Sequence, residues 1–228
     1  MSMGRESAHL GYEIGKGIQS AMIIIPEMFS GLKITMDRVI RLIVSAMIKR
    51  RILGQKSGVV VISEGIFHFL QEEDIAASGI VFGQDAHGHP ELSDVGKAYI
   101  LNKIVRNCLE KYGLTIISRP VEVGYSLRCV DPCGFDLTYC TTLGIGVKKL
   151  YEAGCSGCMV AVDVHQNVIP VYLQEVEDEN GKIPPRMVNM QREEVKSTFS
   201  EMIYYLTKAD REEASHYLSV PEYFEWEN

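Results

Sequence analysis

Two short apolar runs constrain the fold of this chain more than any other feature. Residues 21–25 and 59–62 are uninterrupted stretches of apolar, mostly β-branched side chains. Such a run is typical of a strand that is buried on both faces, as in a parallel sheet covered by helices. Each run leads into a carboxylate, Glu27 after the first and Glu64 after the second. Because ligands lie at the carboxyl ends of strands in open α/β sheets, Glu64 is a candidate ligand-binding residue, whereas Glu27 is predicted to be a loop charge.

Helical patterns separate these runs and continue along the chain. Residues 35–51 repeat apolar side chains at helical spacing and carry basic residues in the last turn, where a helix end is negative. The same reasoning predicts further helices at residues 9–19, 93–112, 136–153 and 191–207, and further strands at 114–118, 159–162 and 168–171. Three glycines in the first helix suggest close packing against a neighbour or ligand. The predicted class is α/β with a mostly parallel sheet.

Composition and charge exclude several classes of function. The net charge is −7 at pH 7, which argues against a protein that coats nucleic acid, because phosphate backbones require a basic face. No apolar run reaches the roughly 18 residues that a membrane span needs, and the first residues show no apolar signal-peptide core. We therefore expect a cytoplasmic protein without a nucleic-acid or membrane partner.

The six cysteines and the histidines give weak evidence for a metal. Cys155 and Cys158 form the single C-x-x-C pair, without a second pair at zinc spacing, and all six are predicted to be free thiols. Asp85, His87 and His89 have a spacing that suits a metal, but a polar loop at residues 76–92 is the preferred interpretation. No metal ligand is therefore predicted. The chain also lacks a Walker motif and the G-x-G-x-x-G and G-x-S-x-G motifs in a suitable context.

A strand-to-helix loop at residues 119–136 is suited to hold a phosphate. Arg119 and Arg128 offer planar, permanently charged donors, and Tyr125 adds a neutral one. Gly124 allows the backbone to approach a ligand closely. Taken alone, the same residues are equally compatible with two surface arginines that flank a turn.

Four separated segments, in order and with matching intervals, resemble the phosphofructokinase family. The resemblance covers most of residues 3 to about 165, and each segment would be weak evidence alone. The matching segments are Met3-Gly4-Arg5, Ile25-Pro26-Glu27, Ser63-Glu64-Gly65, and the R-x4-G-Y-x-x-R-x3-P-x2-F-D pattern of residues 119–136. The resemblance implies the fold of the family's C-terminal half, a three-layer open sheet, mostly parallel and flanked by helices.

In this family, the matching segments bind fructose 6-phosphate. The resemblance implies seven substrate-binding residues: Met3, Gly4, Arg5, Glu64, Arg119, Tyr125 and Arg128. Glu64 would accept hydrogen bonds from the sugar hydroxyls, while Tyr125 and Arg128 would hold the 6-phosphate. Arg119 matches an arginine that reaches into a neighbouring subunit's site in bacterial members, which implies a homo-oligomer. Glu27 matches a position near the effector site of those members.

The implied reaction transfers a phosphoryl group to the 1-hydroxyl of the sugar, giving fructose 1,6-bisphosphate in glycolysis. Tyr125, where many ATP-dependent members carry histidine, and Leu137, where bacterial ATP enzymes have arginine, favour pyrophosphate over ATP as donor. Mg²⁺ is expected with the donor rather than on this chain. The family's donor-binding segments have no match here, so no catalytic residue is predicted and the isolated chain is expected to be inactive.

Residues 1–228 are expected to form a single α/β sugar-phosphate-binding domain with a surface-packed tail at about 208–228, and the family's N-terminal phosphoryl-donor domain is expected to be missing. Two alternatives remain open at this point. One is a non-catalytic regulatory subunit or sugar-phosphate-binding module derived from the same family, and the other is a generic α/β protein whose motifs are coincidental.

Overall fold

The structure, a computed structural model, describes residues 1–4, 7–70, 74, 96–202 and 204–226, without the side chains of Arg128 and Met202. Arg5 and the polar loop predicted at residues 76–92 lie outside the described residues. The contacts divide the chain into two units. Unit 1 comprises Met1–Gly124 and Met187–Asn228, and unit 2 comprises Tyr125–Arg186.

The elements follow one another along the chain as helices and short strands. The helices are α1 (His9–Gly17), α2 (Met36–Ile52), α3 (Lys97–Lys111), α4 (Tyr125–Arg128), α5 (Gly134–Glu152), α6 (Leu173–Val176), α7 (Glu193–Ser197) and α8 (Arg211–Ala214). The strands are β1 (Met22–Ile24), β2 (Val60–Ile62), β3 (Cys158–Val162) and β4 (Val168–Tyr172). Single 3-10 turns cover Pro26–Phe29, Glu64–His68, Lys208–Asp210 and Pro221–Phe224. None of the helices in the described ranges is both long and apolar enough to cross a bilayer.

The two apolar runs form the centre of unit 1. β1 and β2 pair in parallel, with Met22 opposite Val60 and Ile24 opposite Ile62. The β1 side chains are inaccessible to solvent and belong to one continuous core with α2 and α3. This agrees with the prediction that the two runs are parallel strands, and burial is complete for β1 but in β2 only at Val61 and Ile62.

The glycines of α1 allow it to pack closely on this sheet. A Cβ atom on Gly11 would lie 2.7 Å from the Ser2 hydroxyl, and one on Gly15 would overlap the Ile23 side chain. Gly17, in contrast, faces open space. Two of the three glycines therefore serve a close approach to a neighbour, as the sequence suggested.

Helix α2 joins the sheet to the last residues of unit 1. Thr35 caps its first turn, with Oγ1 accepting the Arg38 N–H at 3.2 Å, and such a cap stabilises a helix by about 1 kcal/mol. On the other side, the Ser45 hydroxyl accepts the Leu206 N–H at 2.7 Å, and Lys49 Nζ lies 2.5 Å from an Asp210 carboxylate oxygen. These bonds hold the C-terminal segment on α2.

Unit 2 consists of α5 on an antiparallel hairpin. β3 and β4 pair with Cys158 opposite Tyr172, and the Asp163 carboxylate accepts the His165 and Asn167 N–H groups of the turn at 2.8 Å each. Gly146 of α5 is the point of closest approach. A Cβ atom there would lie 2.5 Å from Val160 Cγ1 and 3.0 Å from Val168 Cγ1.

Two predicted elements differ in the structure. Residues 114–118 do not form a strand: Leu114 is buried, but Ile117 is 85% exposed. The predicted helix at 191–207 is short, because α7 ends at Ser197 and a π-turn over Thr198–Met202 follows. The helix does not continue because the Tyr204 N–H donates to Ala21 and the Leu206 N–H donates to Ser45, which keeps this backbone extended.

The described strands form two pairs, one parallel and one antiparallel. The α/β class predicted from the sequence is therefore confirmed at this level. The finer expectation of a three-layer, mostly parallel sheet stays a prediction.

Candidate functional site

A carboxylate and a glycine meet at the carboxyl end of β2. Glu64 Oε1 accepts the Gly4 N–H at 3.0 Å, and the Ser63 hydroxyl donates to the Gly4 carbonyl at 3.3 Å. The Glu64 N–H also donates to the Ser2 carbonyl at 2.9 Å. The sequence places the Met3-Gly4 and Ser63-Glu64 segments far apart, and these bonds bring them side by side.

Only glycine suits position 4. Its φ is +139°, and a Cβ atom would lie 2.8 Å from the Ser7 carbonyl oxygen. Glycine therefore allows the backbone conformation in which the Gly4 N–H reaches the Glu64 carboxylate.

Lys97, at the start of α3, adds a positive charge to this carboxylate. Its Nζ lies 3.5 Å from Glu64 Oε2, and both side chains are largely shielded from solvent. The ammonium group neutralises Glu64 while leaving oxygen lone pairs for hydroxyl donors. Sequence reasoning missed Lys97, because nothing in the linear pattern links the start of α3 to the end of β2.

Glu122 is a second residue that sequence reasoning missed. Its carboxylate accepts the Ala98 N–H at 2.8 Å and so caps α3, whose own N-cap residue is Gly96. A carboxylate at a helix N-terminus is stabilised by the helix dipole. Glu122 thus fixes residues 119–123 next to the start of α3. Its position inside the loop at residues 119–136 could have marked it as a candidate from the sequence.

The seven predicted substrate-binding residues lie in different parts of the structure. Gly4 and Glu64 are in contact in unit 1. The sulfur of Met3 lies near Gly124, since a Cβ atom built on Gly124 would be 3.5 Å from it. Arg119 is exposed in the extended segment of unit 1. Tyr125 begins α4 of unit 2 and is 73% exposed. Arg5 and the Arg128 side chain lie outside the described residues, so the roles of all seven stay predictions.

Glu27 is a structural carboxylate rather than a solvent-exposed loop charge. Its Oε1 accepts the Ala8 N–H at 3.2 Å and the Val188 N–H at 3.1 Å. The two donors come from the two chain segments that make up unit 1. Glu27 therefore ties the start of α1 to the returning chain, which contradicts the simple interpretation of its charge.

The described residues show no group of three or more metal-ligating side chains. The six cysteines are free thiols, as predicted. Cys155 lies beside the Tyr172 hydroxyl, and a hydrogen bond between them raises the Tyr172 pKa above its usual value. The predicted Asp85, His87 and His89 spacing falls outside the described residues.

Comparison with known proteins gives relatives that are named as pyrophosphate-dependent or ATP-dependent phosphofructokinases. A pyrophosphate–fructose 6-phosphate 1-phosphotransferase of Thermotoga maritima is 32% identical over 92% of this chain and 51% of its own length. A protein of the same name from Naegleria fowleri is 29% identical over 85% of this chain and 46% of its own. An ATP-dependent 6-phosphofructokinase of Trypanosoma cruzi is 26% identical over 73% of this chain and 32% of its own.

The chain thus spans about half the length of the first two relatives. No family model matches it. The matches nevertheless cover most of the chain, and their names agree with the resemblance found in the four sequence segments. The chain belongs to the phosphofructokinase family, on the side of its pyrophosphate-dependent members.

Proposed function

We propose that this chain carries the fructose 6-phosphate site of a phosphofructokinase that uses pyrophosphate as phosphoryl donor. The product is fructose 1,6-bisphosphate. The observation that carries the proposal is the joining of the Met3-Gly4 and Ser63-Glu64 segments by the Gly4–Glu64 hydrogen bond of 3.0 Å. Two of the four family segments meet there, at the strand end where open α/β sheets bind ligands.

The charge and shape of this corner suit a sugar. The Glu64 carboxylate is held by one backbone donor and one ammonium group, and it retains lone pairs that can accept from vicinal hydroxyls. Gly4 has no side chain to block the approach. In the proposal, Met3 and Arg5 line the same pocket, and Tyr125 and Arg128 hold the 6-phosphate.

Arg119 completes the proposed set. It is an exposed guanidinium beside the extended backbone that Glu122 fixes. An arginine in this state can form paired hydrogen bonds with a phosphate supplied by its own or a neighbouring site. We propose that it contributes to a neighbour's site in a homo-oligomer.

The part of this chain in the reaction is to hold the acceptor. Phosphoryl transfer depends mainly on alignment and on neutralising charge, and binding of the sugar at Glu64 fixes the 1-hydroxyl for attack. Mg²⁺, when bound with the donor, supplies charge neutralisation. The carboxylate at the site does not suit that ion, because Glu64 is one carboxylate that is already paired with Lys97, so no step is assigned to a metal on this chain.

Related proposals follow from the family. We propose that residues 1–228 belong to one sugar-phosphate-binding domain with the three-layer sheet of the family's C-terminal half, and that the protein acts in glycolysis in the cytoplasm. We further propose that the isolated chain does not complete the phosphoryl transfer.

Calorimetric titration of the chain with fructose 6-phosphate tests the acceptor site. Saturable binding is expected for fructose 6-phosphate and not for fructose. Glu64→Gln should weaken binding, while Glu110→Gln, on the exposed face of α3, should not. Arg128→Ala should cost about 1.5–3 kcal/mol, the scale of a hydrogen bond to a charged group, and Tyr125→Phe should cost less. Equal affinity for the two sugars would contradict the proposal.

A second candidate function is a non-catalytic sugar-phosphate-binding subunit. In this candidate, the corner formed by Gly4 and Glu64 binds the sugar phosphate without taking part in a reaction. Incubation of the chain with fructose 6-phosphate, pyrophosphate and Mg²⁺ tests it. Substantial formation of fructose 1,6-bisphosphate would exclude this candidate and would also contradict the expected inactivity of the isolated chain.

A further inference from the structure

Two cysteines lie at the place where the C-terminal end of α5 meets the start of β3. Cys155 follows the helix closely, and its N–H donates to the Leu150 carbonyl at 2.9 Å. Cys158 is the first residue of β3 and stands opposite Tyr172 of β4. Both cysteines are partly buried, whereas the other three cysteines of unit 2 are exposed. The fold therefore holds the two residues of the C-x-x-C pair at one end of the hairpin.

The Cys158 side chain lies on the face of the hairpin that α5 covers. A Cβ atom on Gly146 of α5 would lie 2.5 Å from Val160 and 3.0 Å from Val168, so these two valines point towards the helix. Side chains alternate between the two faces along a strand. Cys158, two residues before Val160, and Tyr172, four residues after Val168, therefore point to the same side as the valines.

Cys158 and Tyr172 form a close cross-strand pair. The Leu173 N–H donates to the Gly157 carbonyl at 3.0 Å, which makes these two residues a hydrogen-bonded pair. Hydrogen-bonded and non-hydrogen-bonded pairs alternate in an antiparallel ladder, so Cys158 and Tyr172 form a pair of the second kind. Pro170, which has no N–H, occupies the next position of this kind. In such pairs the Cα atoms are about 4.5 Å apart, and the side chains are close neighbours.

The Tyr172 hydroxyl reaches the other thiol of the pair. It forms a hydrogen bond with Cys155, and this bond raises the pKa of Tyr172, to which the nearby Cys158 also contributes. A phenol with a raised pKa keeps its proton, so its O–H donates to the Cys155 sulfur. A hydroxyl donor beside a sulfur stabilises the negative charge of a thiolate. One tyrosine side chain thus lies beside both cysteines.

A tight turn connects the two cysteines. Gly157 has a φ of +65°, a conformation that glycine adopts without strain, and Ser156 is exposed. The bond from the Leu173 N–H to the Gly157 carbonyl anchors this turn to β4. Two cysteines separated by two residues are the arrangement that thiol–disulfide redox motifs use.

We propose that Cys155 and Cys158 are a peroxide-sensitive dithiol, which hydrogen peroxide converts to an intramolecular disulfide while Tyr172 positions the Cys155 sulfur. The Cys155 thiolate attacks one oxygen of the peroxide, the O–O bond breaks, and hydroxide leaves, which makes a sulfenic acid of Cys155. The Cys158 sulfur then attacks the Cys155 sulfur, the S–S bond forms, and the sulfenic hydroxyl leaves as water with the Cys158 proton.

The balance of this reaction is complete with peroxide as the oxidant. Two electrons pass from the two thiols to the peroxide, which is reduced to two water molecules. The proton that Cys155 loses converts the departing hydroxide to the first water, and the second water leaves in the disulfide-forming step. The modification does not depend on the proposed sugar site.

A second cysteine pair in unit 2 provides an internal comparison. Cys129 and Cys133 are also close in sequence and are more exposed than the proposed pair. Trypsin, which cuts after lysine and arginine, separates the two pairs. Its peptide 150–182 contains only the proposed pair, and its peptide 129–148 contains the other three cysteines of unit 2. The chain is treated with hydrogen peroxide, free thiols are blocked with N-ethylmaleimide, and both peptides are analysed by mass spectrometry before and after reduction with dithiothreitol.

The peptide 150–182 should stop taking up N-ethylmaleimide, and reduction should restore both of its thiols. A disulfide should form there about tenfold faster than in the peptide 129–148, because the fold holds the two thiols of the proposed pair together. A disulfide that forms first in the peptide 129–148 would overturn the proposal. So would two thiols in the peptide 150–182 that stay reduced, or that oxidise without forming a bond to each other.

Single substitutions separate the two steps. In Cys158→Ser, the sulfenic acid of Cys155 has no thiol to react with, and dimedone, a reagent for sulfenic acids, should trap it. In Cys155→Ser, dimedone should label Cys158 about tenfold less. Equal labelling of the two variants would contradict the assignment of Cys155 as the attacking sulfur.

Tyr172→Phe tests the positioning role, because it keeps the ring and removes the hydroxyl. Disulfide formation should slow about fivefold, while the melting temperature should match that of Tyr151→Phe, a control at an exposed tyrosine of α5 that should leave the rate unchanged. An unchanged rate in Tyr172→Phe, or equal slowing in both variants, would overturn the role of Tyr172.

Discussion

Unit 1 and unit 2 differ in how much apolar surface they bury. In unit 1, Ile24, Val44 and Ile48 are inaccessible to solvent and belong to a core that runs through both strands and α2. Among the residues of unit 2 whose burial is described, Gly146 alone is buried. Phe135 and Tyr151 of its long helix are 69% and 82% exposed.

The difference shows that the two units are stabilised in different ways. Unit 1 is stabilised by apolar burial, which contributes about 25 cal/mol per Å² removed from water. Unit 2 depends more on local bonds, such as the Asp136 carboxylate accepting the Cys133 N–H at 2.9 Å and the Asp163 carboxylate accepting the His165 and Asn167 N–H groups at 2.8 Å. Substitutions that remove buried apolar groups should therefore act on unit 1, and changes of local geometry should act on unit 2.

The largest expected effect is from Ile24→Ala in β1. Removal of a fully buried isoleucine should lower the free energy of unfolding by about 2–5 kcal/mol. The matched change in unit 2, Ile145→Ala on α5, should cost less than about 1 kcal/mol, because that side chain is half exposed. Urea denaturation followed by circular dichroism, with amide exchange in each unit, gives both values. Similar costs would refute the comparison.

Glu27→Ala should have the next largest effect. The change leaves the Ala8 and Val188 N–H groups without their acceptor, and we expect a loss of about 2–4 kcal/mol in urea denaturation. Glu27→Gln should cost much less, because both bonds use the same oxygen and an amide carbonyl can accept them. Glu152→Ala, an exposed ion-pair residue of unit 2, should change stability by less than about 0.5 kcal/mol. A large cost for Glu27→Gln would mean that the charge, rather than the two bonds, is important.

Two glycines of α5 sharpen the comparison within unit 2. Gly146→Ala should destabilise it by about 1–3 kcal/mol, because the new methyl group overlaps Val160 and Val168. Gly144→Ala meets nothing within 4 Å and should stabilise α5 by about 0.5–1 kcal/mol through helix propensity. Amide exchange along α5 measures both. The same sign for the two changes would show that α5 does not pack on the hairpin at Gly146.

Strands and helices that depend on local apolar patterns and caps were predicted from the sequence. The run at 21–25 is buried, Val61 and Ile62 of the second run are buried, and the two runs pair in parallel. Helices α2 and α5 lie close to their predicted bounds because apolar periodicity and the caps at Thr35 and Asp136 define them. The predicted strand at 114–118 does not form, and its apolar pattern did not reveal that Ile117 is exposed while Leu114 is buried.

The residues of the candidate corner that lie in recognisable motifs were singled out from the sequence. Gly4 and Glu64 were chosen from separate segments, and the structure joins them by a hydrogen bond. Lys97 and Glu122 were missed because their roles arise from α3, which approaches β2 and residues 119–123 only in the folded chain. Glu27 was misjudged for the same reason, since its partners lie at Ala8 and Val188.

The smallest of these effects concerns acid stability, and it again separates the units. Burial raises the Asp210 pKa, but the Lys49 ammonium and the Thr207 donors outweigh burial and hold that pKa below its usual 3.8. The Arg211 guanidinium likewise holds the pKa of the buried Glu225 below 4.5. A depressed pKa means that the stabilisation is complete above the unfolded-state value and is lost as pH falls through the folded-state value.

Unit 1 should therefore lose stability progressively as the pH falls below about 4.5. The pKa values of Asp136 and Asp163 in unit 2 are also lowered, but these carboxylates lie at the surface and should contribute less. Melting curves between pH 7 and pH 3 measure the slope for the parent chain and for Asp210→Asn, which cannot titrate. The variant should be less stable at pH 7 and show a shallower slope below pH 4.5. An unchanged slope would assign the acid sensitivity to carboxylates outside the Lys49–Asp210 contact. If amide-exchange protection fell more steeply with pH in α5 than in β1, the comparison between the units would be reversed.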